Sequence, residues 1–252
     1  MFVDTHLHIS YSQGVYPDLY VENAKKADVK LLIASFCEKD DITLSTHFVE
    51  KYDLMYASIG YHPEVANRIV DKDYEILEKL VKNNSKIVAI GEIGLDYYWN
   101  KDNKETQISV FRRQLELAEK LEVPVVIHSR DSIGETYEIL KEYNVKGVIH
   151  CFSGRLEMAR KFIDVGYVLG IGGVVTFSNS KLYQVIEKIS LNDIVLETDS
   201  PYLAPVPNRG KTNESSNILY IAQKIADIKG VSLDDVMKVT TLNSIRIFDL
   251  KI

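Results

Sequence analysis

The sequence predicts a parallel (β/α)8 barrel, an α/β fold of one domain spanning residues 1–252, on three observations. Short β-branched runs alternate with longer amphipathic segments for most of the 252 residues, the rhythm of βα units. Eight such runs occur, each followed by a helical stretch, and chains of this length form barrels as one domain. Metal-capable side chains recur at the ends of the runs, where barrels carry their active sites.

The first run, residues 2–8, reads Phe2-Val3-Asp4-Thr5-His6-Leu7-His8. Alternation along an extended strand sends His6 and His8 to one side, about 6–7 Å apart along the backbone, so two imidazoles can reach one ion. The next strand candidates are the runs at 29–36, 54–60 and 87–92. They end near Cys37, His62 and Glu92. Residues 124–128 run into His128, 147–150 into His150, 167–171 into Gly172 and Gly173, and 194–199 into Asp199. Helices are expected at 18–26, 42–51, 74–82, 106–121, 132–143, 156–165, 181–189 and 214–229. Within the fourth of these, residues 114–121 show apolar residues three and four apart with acids between, the pattern of a helix covering a barrel. Beyond these, Ser232 is a candidate N-cap for a short helix, with a second helix at 241–248, and both are expected to pack. The stretch 200–216 carries Pro201, Pro205, Pro207 and Gly210 and reads as a loop on the catalytic face.

Composition sets the outer limits. With 46% hydrophobic and 26% charged residues the chain is an ordinary globular protein, and its formal charge of −6 argues against broad adhesion to nucleic acid or anionic membranes. Net charge does not exclude a nucleic-acid substrate, because a metal centre attracts phosphate locally. Two cysteines, Cys37 and Cys151, are too few for a disulfide framework, so a reduced, cytoplasmic setting is expected. The N-terminus has neither a basic nor an apolar export region, and no run of 18 apolar residues suggests a membrane span.

Five of the six histidines fall at strand ends, with only His47 inside a helix. Imidazoles and carboxylates in this pattern suit Zn, Mn, Co or Fe, while carboxylate and water suit Mg. Six candidate ligands exceed the needs of one tetrahedral ion, so two divalent ions are inferred. His6, His8 and Asp199 are assigned to one, His128 and His150 to the other, and Glu92 is shared. Such a pair promotes hydrolysis, and Asp199 is also a candidate general base. Asp4 is expected to orient a ligand.

The motifs Asp4-Thr5-His6-Leu7-His8, Gly60-Tyr61-His62-Pro63, Gly91-Glu92-Ile93-Gly94-Leu95-Asp96-Tyr97-Tyr98, Pro124-Val125-Val126-Ile127-His128-Ser129-Arg130-Asp131, His150-Cys151-Phe152-Ser153-Gly154 and Glu197-Thr198-Asp199-Ser200-Pro201-Tyr202-Leu203, in this order, resemble the TatD family of metal-dependent deoxyribonucleases. The resemblance implies a TIM-barrel hydrolase of the amidohydrolase-like superfamily, with a divalent-metal pair and phosphodiesterase activity on DNA, often at single-stranded or 3′ ends. It carries the ligand roles to His6, His8, Glu92, His128, His150 and Asp199, and it adds His62 to the site as a catalytic or substrate-binding group. Glu92 stands where some barrel relatives hold their metals with a modified lysine, which favours the nuclease-like branch. Arg130, Arg209 and Lys211 are the candidate phosphate contacts. The loop Arg209-Gly210-Lys211-Thr212-Asn213-Glu214-Ser215 departs from the family's Arg-Gly-Lys-Arg-Asn-Glu-Pro by losing one cation and the proline, which weakens the expected grip on long polynucleotides. Tyr97, Tyr98 and Trp99 are expected either to stack an unpaired base or to pack, with packing favoured for two of the three. The competing reading is a binuclear hydrolase of a small ester or amide, recognised by a deep apolar pocket instead of an open groove. No obligate protein partner is evident in the sequence.

Overall fold

The computed structural model describes residues 1–9, 16–99 and 101–251. Eight parallel strands, β1 (Phe2–Leu7), β2 (Val29–Phe36), β3 (Met55–Ile59), β4 (Ile87–Asp96), β5 (Val125–Arg130), β6 (Gly147–Ile149), β7 (Tyr167–Ile171) and β8 (Ile194–Leu196), pair in sequence order into one sheet. Helices α1 (Pro17–Lys26), α2 (Leu44–Lys51), α3 (Asp71–Asn83), α4 (Lys104–Leu121), α5 (Ile133–Leu140), α6 (Leu156–Asp164), α7 (Tyr183–Ile186) and α8 (Ile218–Lys229) each follow a strand, and α9 (Leu233–Phe248) ends the fold. This is the expected (β/α)8 barrel.

The strands' alternation separates two apolar layers. One runs between strands and helices; the other takes Val3, Ile33, Tyr56, Val88, Val126, Val148, Val168 and Val195 from the eight strands. That second set is the barrel interior, closed at its N-terminal end by Ile247, Phe248 and Leu250. Apart from Tyr56, β-branched residues fill it, in keeping with the layered packing of such barrels. Polar and titratable groups are therefore left to the opposite, C-terminal end.

Closure occurs at a seam between β1 and β8 that rests on few ladder bonds. The Leu7–Ser200 bridge is supplemented by His8 N–H to Ser200 O at 2.7 Å and Asp199 N–H to His6 O at 3.0 Å. Side chains supply the rest: Thr5 Oγ1 donates to Leu196 O at 2.9 Å, and the buried Asp4 carboxylate accepts Thr198 N–H at 2.9 Å and Thr198 Oγ1–H at 2.6 Å. Asp4 also accepts from Ser215, which ties the start of the α8 segment to the same seam. Asp4, expected to orient a ligand, bonds Thr198 next to Asp199 and the backbone N–H of His6. Burial pushes its carboxyl up to about 7 despite these four donors, the fourth being His6 N–H at 3.4 Å.

Several boundaries differ from expectation for physical reasons. β4 runs on to Asp96 because Gly94, at φ +146°, lets it ride against β5, where a Cβ would meet His128 O at 1.9 Å. β8 ends at Leu196 and the chain turns at Asp199, φ 55°. α7 is a single turn, not residues 181–189, and a 3-10 turn at Ser215–Asn217 precedes α8. The two tail helices are one: Ser232 caps it as expected, accepting Asp235 N–H at 3.1 Å, but the chain stays helical through 241, where Thr241 Oγ1 bonds Met1 O.

Candidate metal centre

The C-terminal ends of β1, β4, β5, β6 and β8 converge on one cleft of about 570 Å³ whose wall includes His8, Glu92, His128, His150 and Asp199. Its centre is the buried Glu92. One carboxylate oxygen, Oε2, lies 3.4 Å from His6 Nε2 and 3.8 Å from His8 Nε2. The other, Oε1, lies 2.7 Å from His128 Nδ1 and 3.8 Å from both His62 Nε2 and His150 Nε2. A single carboxylate thus faces two sets of imidazoles, as a bridge between two ions does.

Asp199 completes the first set, with Oδ1 3.5 Å from His8 Nε2 and 3.8 Å from His6 Nε2. His150 stands between the sets. Its ring stacks on His6 at 3.6 Å, and its Nε2 is 3.8 Å from Asp199 Oδ1, so its donor atom groups with His6 and Asp199. His62 joins Glu92 and His128 in another group whose donor atoms lie within 4.8 Å of one another. The donor atoms thus divide otherwise than the expected pairing of His128 with His150; five of the six expected ligands and His62 line the cleft, and His6 reaches Glu92 from beneath them.

Charge follows from this crowding. Burial opposes ionisation of Glu92, but His150, His128 and His6 hold its carboxyl well below the usual range. Burial likewise opposes the charge on Asp199, and His8 with His150 holds it low. Among the histidines, burial and the neighbouring His150 lower His6, and burial with His128 brings His62 down to about 3. Burial also works against protonating His128, yet bonds to Asp96 and Glu92 raise it to about 9. For His150 the carboxylates of Glu197 and Glu92 overcome burial and raise it to about 10. Burial opposes protonation of His8 as well, but Asp199 and Glu92 raise it. Two lowered imidazoles and three raised ones therefore surround two ionised carboxylates.

Two contributing residues were quoted in the motifs without a role. Asp96 Oδ2 lies 2.9 Å from His128 Nε2, so both ring nitrogens of His128 face carboxylates. The signal was available: Glu92, Gly94 and Asp96 alternate, and continuing β4 past Glu92 brings Asp96 to the site. Glu197, fully buried, lies 3.0 Å from His150 Nδ1 and accepts Cys151 N–H at 2.6 Å. Its room comes from Gly170, where a Cβ would sit 2.2 Å from Glu197 Oε2.

The candidate substrate groups separate. Arg130 lines the cleft and lies over the ring of Tyr98 at 4.0 Å and of Trp99 at 5.5 Å. Tyr97 is the buried one of the aromatic trio, its hydroxyl donating to Glu135, while Tyr98 and Trp99 are 50% and 62% exposed. Packing thus claims one ring and leaves two open, the reverse of the expected split. Arg209 stacks on Phe177 at 3.7 Å, and Lys211 reaches Asn208 Oδ1 at 3.4 Å; neither lines the metal cleft. On the opposite wall stand Glu38, Asp41 and Glu64, with Glu38 shared with Arg68.

The donor set fits divalent metal: Nε2 of His6 and Nε2 of His8 approach to 3.2 Å beside two ionised carboxylates, imidazole and carboxylate atoms converging as the ligands of one cation do. A parallel barrel with such a cluster at its C-terminal face defines a metal-dependent hydrolase. The family model for TatD related DNase matches residues 3–249, and the chain belongs to that family. A metal-dependent hydrolase of Bacillus subtilis, YabD, is 38% identical over 98% of this chain and 99% of its own length. The Escherichia coli metal-dependent hydrolase YcfH is 35% identical over 98% and 96%. The crystal structure of the TatD homologue YjjV of Escherichia coli superposes with a TM-score of 0.92 at 28% identity, covering 99% of this chain and 98% of that one.

Proposed function

We propose that this hydrolase cleaves phosphodiester bonds of DNA, removing nucleotides from single-stranded 3′ ends, with residues 1–252 forming one catalytic domain. His6, His8 and Asp199 would hold one divalent ion, His128 the other, with Glu92 between them, His150 at their junction and His62 beside the second. Ions so placed would supply Lewis-acid polarisation of the phosphoryl oxygens and lower the pKa of an attacking water.

The remaining chemistry belongs to the chain. Asp199, kept ionised by its imidazole neighbours, accepts the proton of the attacking water. His62 is neutral, and its Nδ1 accepts Glu64 N–H at 3.3 Å, so its proton resides on Nε2, facing the centre. It serves as a neutral donor to a phosphate oxygen. Arg130 carries the choice of substrate: a guanidinium held over Tyr98 and Trp99 at the cleft mouth offers a planar cation to phosphate beside exposed ring faces for an unpaired base. With both cysteines free and no helix among the described residues long and apolar enough to span a membrane, we place this activity in the cytoplasm.

End-labelled single-stranded DNA incubated with Mg²⁺ or Mn²⁺, with and without chelator, tests the reading. Metal-dependent shortening is expected; intact substrate at every ion refutes it. The carboxylates Glu38, Asp41 and Glu64 favour a second reading, a small uncharged ester or amide, which a panel of such substrates turned over faster than DNA would establish.

A further inference from the structure

The metal cleft is electrically lopsided. Arg130 shares the lining with Asp41 and Glu64 and with Glu38, which is paired to Arg68, so a polyanion bound at its centre meets more negative than positive charge on the β2 and β3 side. A second cavity, about 970 Å³, lies on the same end of the barrel between the loops that follow β6 and β7. The loop that carries His150 continues through Ser153 and Gly154 into its wall. The other wall is bound to the loop of the metal cleft: Val206 N–H donates to Thr176 Oγ1 at 2.9 Å, and Gly173 packs so closely under Leu203 that a Cβ would be 2.0 Å from its carbonyl oxygen.

The charges in this groove are selective. Its acids are paired, Glu157 with Lys161 at 2.8 Å and Glu187 with Lys188 at 3.5 Å. Arg155 and Lys181, both exposed, have no carboxylate within 4.0 Å among the described residues. Arg209, also without an ion pair there, stacks on Phe177, which lines the groove. In a chain of formal charge −6, cations without a close ion pair gathered in one concave surface, Arg155 with only the more distant field of Glu157, beside a hydroxyl and amide lining at Ser153, Asn179 and Ser180 suit an anionic chain.

We propose that this groove is a binding track for the single strand upstream of the cleaved nucleotide, with Arg155 and Lys181 contacting its phosphates. The inference rests on the nuclease reading of the metal centre. It gives Arg209 a place at the entrance to the track, and it predicts that substrate length, not the bond broken, is what the groove senses. Each phosphate contact with a single strand contributes about 0.7 to the slope of log affinity against log salt, so two contribute about 1.4.

The test is the doubly substituted metal-loaded enzyme Arg155→Glu, Lys181→Glu, compared with wild type on bis(p-nitrophenyl) phosphate and on a twelve-residue oligothymidylate. Turnover of the small diester is expected to stay within about twofold, whereas KM for the oligonucleotide rises at least tenfold, kcat holds, and the salt slope falls by roughly 1.4. The milder Arg155→Gln, Lys181→Gln pair should give an intermediate KM, and unfolding curves check that each variant is folded. Unchanged oligonucleotide KM and salt slope, or equal losses on both substrates, overturn the track alone. Wild-type enzyme that hydrolyses the diester but neither shortens nor binds the oligonucleotide overturns the nuclease reading and the track with it.

Discussion

Replacing Gly170 with alanine tests how tightly the far side of the metal centre is built. Gly170 lies in β7 with its Cα against Glu197, and an added Cβ would stand 2.2 Å from Oε2, 2.8 Å from Cδ and 3.2 Å from Val148 Cγ1. An ordinary carbon–oxygen contact needs about 1 Å more than the shortest of these, so the carboxylate must swing by roughly that much. Glu197 is fully buried, and the same movement stretches its 3.0 Å approach to His150 Nδ1 and its 2.6 Å bond from Cys151 N–H. Overpacking of this kind costs about 1–3 kcal/mol. At roughly 2–4 °C per kcal/mol for a chain near this size, the midpoint of thermal unfolding should fall by about 2–12 °C. Because Glu197 orients His150 from outside the donor set, affinity for Mn²⁺ should drop by about 10–100-fold. Gly172→Ala is the internal control, since its nearest new contacts, all to Glu197, lie at 3.6 Å. Calorimetric titration and melting of both variants decide the matter: if Gly170→Ala matches Gly172→Ala in melting point and Mn²⁺ affinity, Glu197 does not position His150.

Glu92→Ala and Asp199→Ala should each abolish turnover with circular dichroism unchanged, and wild-type rates in either would remove that residue from the chemistry. Thr198→Val deletes the donor 2.6 Å from Asp4 Oδ2, a bond to a buried carboxylate worth about 1.5–3 kcal/mol, and should lower the urea midpoint without altering the m-value. Metal binding should release protons in weak buffer at pH 7, because carboxylate neighbours hold His128 and His150 protonated up to about 9 and about 10 and a ligating imidazole must be neutral. The sign is fixed: affinity should rise with pH below those values, about tenfold per unit for each proton displaced. Silence of a pH indicator on Mn²⁺ addition would contradict the protonated state of both rings.

What could be read from the chain and what could not divide along physical lines. Strand order and the convergence of His6, His8, Glu92, His128, His150 and Asp199 follow from apolar runs and their ends, because a parallel barrel sends every strand's C-terminus to one face. The continuation of β4 to Asp96 was hidden by two glycines that look like a turn signal but serve close strand approach at Gly94. The division of donors around Glu92 depends on which way His150 turns, set by Glu197 and by stacking on His6, and no spacing encodes that. The same holds for Arg209, whose partner Phe177 lies on a different loop. Merging of the tail helices follows from residues such as Asn243 and Thr241, polar groups that reach Ile194 O and Met1 O across the barrel floor.

The seam between β1 and β8 has a consequence for how the centre comes into being. His62, Glu92 and His128 belong to β3–β5 territory, a contiguous middle stretch whose donor group needs only neighbouring strands. His6, His8 and Asp199 meet only when β1 finds β8, across separations such as the 194 residues between Asp4 and Thr198. Contacts that distant carry a high loop-closure cost unless the intervening strands have already drawn the two ends together. One half of the ligand shell is thus available to a partly folded chain, and the other exists only in the finished ring. Full metal occupancy would then be a readout of barrel closure itself, and a chain truncated before β8 would retain at most the half-site of His62, Glu92 and His128.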